Sequence, residues 1–199
     1  MIHLISENLT KFIYNNIQIE NDMRDVYKYG IEVTISSTLN IILIILASTI
    51  ILDITFGIIF LIVFVLLRSF SGGYHANTYF KCNLVFVITF LSVYGVNEII
   101  INFLDLQNIF ALLGTVGLLS LIIVVVFSPV KNKHKLITAN QAKKCRIKAV
   151  IVYFFLSVIA LIVICSDNIE YGAFIIITLT AVAVMILIEI IKRRYKHES

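Results

Sequence analysis

The sequence predicts an all-α integral membrane protein: six transmembrane helices preceded by an N-terminal amphipathic helix, with both termini in the cytoplasm. Three observations predict it. The chain of 199 residues is 60% hydrophobic and only 14% charged, whereas soluble domains run near half apolar and a quarter charged. Six apolar runs approach the roughly 20 residues that cross a hydrocarbon core about 30 Å thick. All 16 lysines and arginines fall in the N-terminal region, the tail and alternate connections between those runs.

The first segment, 1–20, holds Ile2, Ile5, Leu9, Phe12 and Ile13 at helical spacing, with Glu7, Asn8 and Lys11 opposite. That pattern describes a helix lying on the membrane surface or against the bundle. It lacks a basic leader, a continuous apolar core and a small-residue cleavage site, so no cleavable signal peptide is expected. The apolar runs lie at about 35–52, 54–67, 84–104, 109–127, 149–165 and 171–191. The second is short, about 14 residues or roughly 21 Å at 1.5 Å per residue. Either the motif after it continues the helix, or that motif lies recessed below the headgroups. Two longer connections, 68–83 and 128–148, fall on one side. No internal repeat divides the chain, which reads as a single polytopic domain, 1–199. Spans so poor in polar residues argue against a water-filled channel.

Charge fixes the expected orientation. The connections after the first, third and fifth runs carry Asp53, Asp105, and Asp167 with Glu170, and no lysine or arginine. Basic residues crowd the other side: Arg68 and Lys81 flank a pair of glycines, seven more lie between Lys131 and Lys148, and four close the chain. By the positive-inside rule, that side is cytoplasmic. The net charge of +4 is then explained by topology and attraction to anionic lipid, with no nucleic acid required. Of the three cysteines, Cys82 and Cys145 fall on the reducing side and Cys165 near the outer one. No disulfide framework is indicated. No pattern of metal ligands or phosphate-binding glycines is present, so neither metal nor cofactor is expected.

The stretch "RSFSGGYHANTYFKC", Arg68 to Cys82, carries the chemistry. A thiol with pKa near ~8.5 needs a base to act as a nucleophile at neutral pH, and a histidine near ~6.5 can take the proton and return one to a leaving amine. His75 and Cys82 are the His–Cys pair placed for this. Seven residues along an unbroken helix would leave them about 10 Å apart, so the chain between them must bend. Gly72 and Gly73 permit that bend, including positive φ. If Cys82 opens the third transmembrane helix, the helix dipole also favours thiolate. The plainer reading is that Gly-Gly makes a turn, the histidine is solvated and the cysteine packs. Arg68 reads equally as a topology anchor, Asn77 and Asn83 as local turn-makers, and Glu98 and Glu189 as structural.

The same stretch resembles the signature of the accessory gene regulator protein B (AgrB) family: an Arg, a small residue before Gly-Gly-Tyr-His-Ala, and a Cys seven after the His. "FSPVKNKHKL" is similar to that family's proline-marked exit from the fourth span into a basic loop, and length and span number agree across the chain. Ser71 stands where the family often has alanine. The resemblance implies a membrane cysteine endopeptidase of Gram-positive quorum sensing, embedded in the plasma membrane with its active site facing the cytoplasm, and a homodimer. Its substrate would be a short AgrD-like precursor with an amphipathic N-terminal helix, a central pheromone segment and an acidic C-terminal tail. By this carry-over Cys82 is the nucleophile, His75 the general base and acid, and Arg68 and Gly73 supporting positions, with Gly72 beside them.

Two features of the residues fit that implication. Lys131, Lys133 and Lys135 would attract the acidic tail. Cleavage through a thioester on Cys82 would let a cysteine in the pheromone segment displace the enzyme and close a thiolactone (or, with serine, a lactone). The oxyanion hole is open between backbone N–H groups near Cys82 and the Arg68 side chain. Two other classes remain: a non-enzymatic carrier or exporter of a hydrophobic peptide, and a sensor or scaffold subunit. Neither needs the thiol.

Overall fold

The computed structural model describes residues 7, 24–51, 53–73, 78–130 and 138–198, with only the backbone described for 24–26 and 195–198. Apart from Glu7, the N-terminal amphipathic helix expected over 1–20 lies outside the described residues. Six α-helices follow: α1 (Arg24–Ile50), α2 (Ile54–Ser71), α3 (Tyr79–Phe103), α4 (Leu106–Phe127), α5 (Ala139–Cys165) and α6 (Ile169–Glu198). Each is long and apolar enough to cross a membrane, and the described residues contain no strand.

The helices outrun their apolar stretches because polar residues start them. Thr78 caps α3 by accepting the Lys81 amide through its hydroxyl. At α5, Thr138 and Gln141 form a reciprocal capping box, which satisfies two orphan amides at once. That cap starts α5 ten residues before Ala149, so Lys143, Lys144, Arg146 and Lys148 stand on helix. The short second run gains the turn it lacked. α2 has 18 residues, about 27 Å of helix, and ends at Ser71 inside the Gly-Gly motif.

α6 is the most buried helix and packs against α2, α3, α4 and α5. α1 is the least buried and packs mainly against α2 and α3. The centre is aromatic. On α2, Phe56, Phe60 and Phe64 recur every fourth residue and meet α3 in reverse order. Phe56 meets Tyr94 at 5.2 Å between ring centroids, Phe60 meets Phe90 at 5.3 Å, and Phe64 meets Phe86 at 5.0 Å. These three pairs combine a step of four along α2 with a step of four back along α3, and Phe60 also meets Phe86, at 5.3 Å. Edge-to-face aromatic pairs add about 0.5–1.5 kcal/mol each beyond their buried area. The register of α2 against α3 is therefore strongly specified.

At the acidic end, Asp53 caps α2. Its carboxylate accepts the Thr55 amide at 2.8 Å and the Tyr171 hydroxyl at 3.0 Å, tying α2 to α6. Burial works against its ionisation, but hydrogen bonds from Thr55, Tyr171 and the Phe56 amide outweigh it and hold the carboxyl below its ordinary value near 3.8. A carboxyl lowered in the folded state contributes stability that is present above the unfolded pKa and lost as pH falls through the folded one. Asp53→Ala is expected to cost about 0.5–2 kcal/mol. The deficit should shrink as pH drops below about 3.8. Thermal unfolding in detergent at pH 7 and pH 3 measures it; equal deficits at both would remove the ionised cap from the account.

Candidate functional site

The site lies at the basic end of the bundle, where α2 ends and α3 begins. One more step of four along the aromatic ladder carries α2 from Phe64 to Arg68 and α3 from Phe86 back to Cys82. There the guanidinium lies within hydrogen-bonding reach of the half-buried thiol. Arg68 also stacks on Phe64, its guanidinium carbon 5.3 Å from the ring centroid. Packing in the membrane interior thus brings a cation toward the Cys82 thiol at its edge.

Cys82 stands in the first turn of α3, at the positive end of the helix macrodipole. Its amide donates to the Thr78 carbonyl at 3.0 Å, and the Lys81 amide is held by the Thr78 hydroxyl at 3.3 Å. The turn is fixed laterally by α1. The Tyr79 hydroxyl donates to Glu32 at 2.9 Å, and the Ser36 hydroxyl donates to the buried Asn83 side-chain amide oxygen, Oδ1, at 2.9 Å. These pairs are again four residues apart on each helix, here running parallel. Asn83, read from sequence as a local turn-maker, instead bonds across to α1. Glu32 and Ser36 were missed altogether, and their four-residue match to Tyr79 and Asn83 was the available signal.

The glycines behave as the bend requires. Gly72 has φ 73° and ψ −152°, and Gly73 has φ 147°. The Gly72 amide closes α2 on the Arg68 carbonyl at 3.0 Å. A Cβ at Gly72 would sit 2.9 Å from the Val130 carbonyl oxygen, while one at Gly73 would meet, among the described residues, Met185 of α6 at 3.9 Å. The segment after α4 is laced to this turn. The Val130 amide donates to the Ser71 carbonyl at 3.0 Å, and Arg146 Nε donates to the Ser128 carbonyl at 2.6 Å. Lys148 Nζ lies 5.6 Å from the Phe70 ring. The "SGG" and "SPV" stretches, distant in sequence, therefore form one structure.

His75 lies outside the described residues, as do Lys131, Lys133, Lys135 and Asn77. Of the sequence-derived set, Arg68 faces Cys82, Gly72 closes the helix that carries Arg68, and Gly73 follows on the turn beside Met185. Cys145 is half-buried on α5 and Cys165 is exposed at the opposite end of that helix; all three cysteines are free. Glu189 is buried on α6 with one oxygen held by Arg193 at 3.0 Å.

Residues 6–190 match the family described as Accessory gene regulator B. The chain belongs to the AgrB family. "Putative AgrB-like protein 2" of Clostridium perfringens (strain 13 / Type A) is 28% identical over 180 residues, covering 81% of this chain and 78% of that protein. Accessory gene regulator protein B of Staphylococcus intermedius is 32% identical over 100 residues, half of each chain. No solved structure matches. Membership of the AgrB family ties this six-helix protein to accessory gene regulator quorum sensing.

Proposed function

We propose that this protein is a membrane cysteine endopeptidase that cuts a short AgrD-like precursor and activates its upstream part for cyclisation. The observation that carries the reading is the position of Cys82: in the first turn of a helix, half-buried, beside a guanidinium. A helix N-terminus and a neighbouring cation are the surroundings in which reactive rather than packing cysteines are found.

In the proposed reaction, His75 takes the Cys82 proton and the sulfur attacks the scissile carbonyl. The C–N bond breaks as the S–C bond forms, and His75 returns the proton to the leaving amine of the acidic tail. A substrate cysteine then attacks the Cys82 thioester, closing a thiolactone and releasing the enzyme thiol. Exchange between thioesters keeps the acyl group at nearly constant energy. For the exchange to outrun hydrolysis, the bound precursor must keep water from the thioester. The reading places the basic end in the cytoplasm of a Gram-positive cell, where a precursor lying on the inner leaflet meets the thiol. Co-expression with a precursor tests it. A Cys82→Ser protein should leave the precursor intact, whereas a carrier or scaffold would tolerate the change.

The lysines at 131, 133 and 135 are assigned to recruiting the acidic tail. Neutralising all three should raise KM severalfold more than it lowers kcat, and added salt should reproduce the effect in the parent protein. An unchanged KM in a vesicle-based cleavage assay would reduce them to topology signals.

A further inference from the structure

Resting on the peptidase reading above, we propose that the Arg68 guanidinium is the group that holds the oxyanion formed when Cys82 attacks. The first argument is the inventory of donors around the thiol. A nucleophile's own backbone amide is an obvious oxyanion donor, but here the Cys82 amide makes the first intrahelical bond of α3, to the Thr78 carbonyl at 3.0 Å. The next amide back, Lys81, is held by the Thr78 hydroxyl at 3.3 Å. Using either would cost a bond that builds the turn carrying the thiol. The amides of Tyr79 and Phe80 precede them and have no acceptor within the helix.

The second argument is register. The pairs Phe56–Tyr94, Phe60–Phe90 and Phe64–Phe86 advance by four residues on each helix, and the next pair in the series is Arg68–Cys82. Aromatic side chains bridging α2 and α3 thus lead from one pair to the next up to the guanidinium and the sulfur, and Phe64 covers one face of the guanidinium at 5.3 Å. Such a group needs little reorganisation at the moment of reaction, which is the property that makes a preorganised donor effective.

The third is chemical form. When sulfur bonds to the carbonyl carbon, the C=O π pair moves onto an oxygen that neighbours that sulfur. A guanidinium offers five N–H donors in a rigid planar fork, so one edge can address sulfur and oxygen together. The cation also stays protonated throughout. Arg68 would therefore touch the reacting atoms while His75 moves the proton.

The test compares two reagents on the full-length protein carrying Cys145→Ala and Cys165→Ala, which leaves Cys82 as its one thiol. Acylation by 4-nitrophenyl acetate forms the S–C bond through a tetrahedral oxyanion and expels 4-nitrophenolate. Alkylation by iodoacetamide forms an S–C bond and expels iodide, with no charge on a carbonyl carbon's oxygen. Thiolate fraction and access affect both, so the ratio of the two rates, read by mass spectrometry at Cys82, isolates the oxyanion. Arg68→Gln should lower that ratio by about 10²-fold. Arg68→Lys, which keeps the charge without the fork, should fall between. Arg68→Met, apolar and of similar length, is measured in parallel so that a variant suited to the membrane edge is available. An unchanged ratio, with both rates falling together or not at all, overturns the assignment and leaves the Tyr79 and Phe80 amides as the donors. That outcome leaves the peptidase reading standing, whereas precursor cleavage by Cys82→Ala would end the peptidase reading without altering the ratio.

Discussion

Cys82→Ala is expected to abolish precursor cleavage, and His75→Ala to slow it by about 10²–10⁴-fold. The difference follows from their roles. Without the sulfur there is no acyl-enzyme and no second route to one, since Cys145 and Cys165 lie on α5, Cys165 at the opposite end of the bundle. Without the histidine, only the thiolate that solvent generates can attack, unassisted by a base. Raising the pH should therefore recover part of the His75→Ala rate and none of the Cys82→Ala rate. Initial rates of precursor cleavage in vesicles between pH 6 and 9 measure both. A Cys82→Ala protein with measurable cleavage, or a His75→Ala protein at the parental rate, contradicts the assignment.

Gly72→Ala is expected to lower cleavage at least tenfold and to destabilise the protein by about 1–3 kcal/mol, the usual cost of forcing a side chain into a sparsely populated backbone region. Two independent causes act at this position. Its φ of 73° and ψ of −152° suit glycine, and a Cβ would stand 2.9 Å from the Val130 carbonyl oxygen. Relief must move the turn, and with it the Ser71–Val130 bond and the end of the helix bearing Arg68. Gly73→Ala also meets an unfavourable φ, 147°, but only an ordinary contact with Met185, so its effect should be smaller. Cleavage rates and thermal midpoints in detergent measure the pair. Parental behaviour from Gly72→Ala, or a larger loss from Gly73→Ala, would show that the turn does not position the site.

Composition and charge sufficed for the fold class, because lipid leaves few alternatives to helices for a chain this apolar. Helix ends were less legible. Hydropathy marks where lipid begins, whereas helices start at caps, and Thr138 with Gln141 was a readable capping box. Helix packing was harder still. Spans that are apolar on every side carry no stripe to say which face meets which neighbour. The exception was present and overlooked: Phe56, Phe60, Phe64 and Arg68 on one run, and Cys82, Phe86, Phe90 and Tyr94 on another, share a spacing of four. Read together, they bring Arg68 to Cys82. Contacts such as Val130 to Ser71 or Arg146 to Ser128 join segments far apart in sequence, and no local pattern encodes them.

The central claim is a covalent bond between Cys82 and the precursor, and trapping that bond is its most direct test. A precursor whose ring-forming cysteine is replaced by alanine cannot complete the exchange, so its upstream fragment should accumulate on the enzyme. Mass spectrometry should find that fragment attached at Cys82, and hydroxylamine should release it. Cys145→Ala and Cys165→Ala proteins should form the adduct as the parent does, and Cys82→Ala should form none. An adduct on another residue, or cleavage of this precursor by the Cys82→Ala protein, would contradict the account.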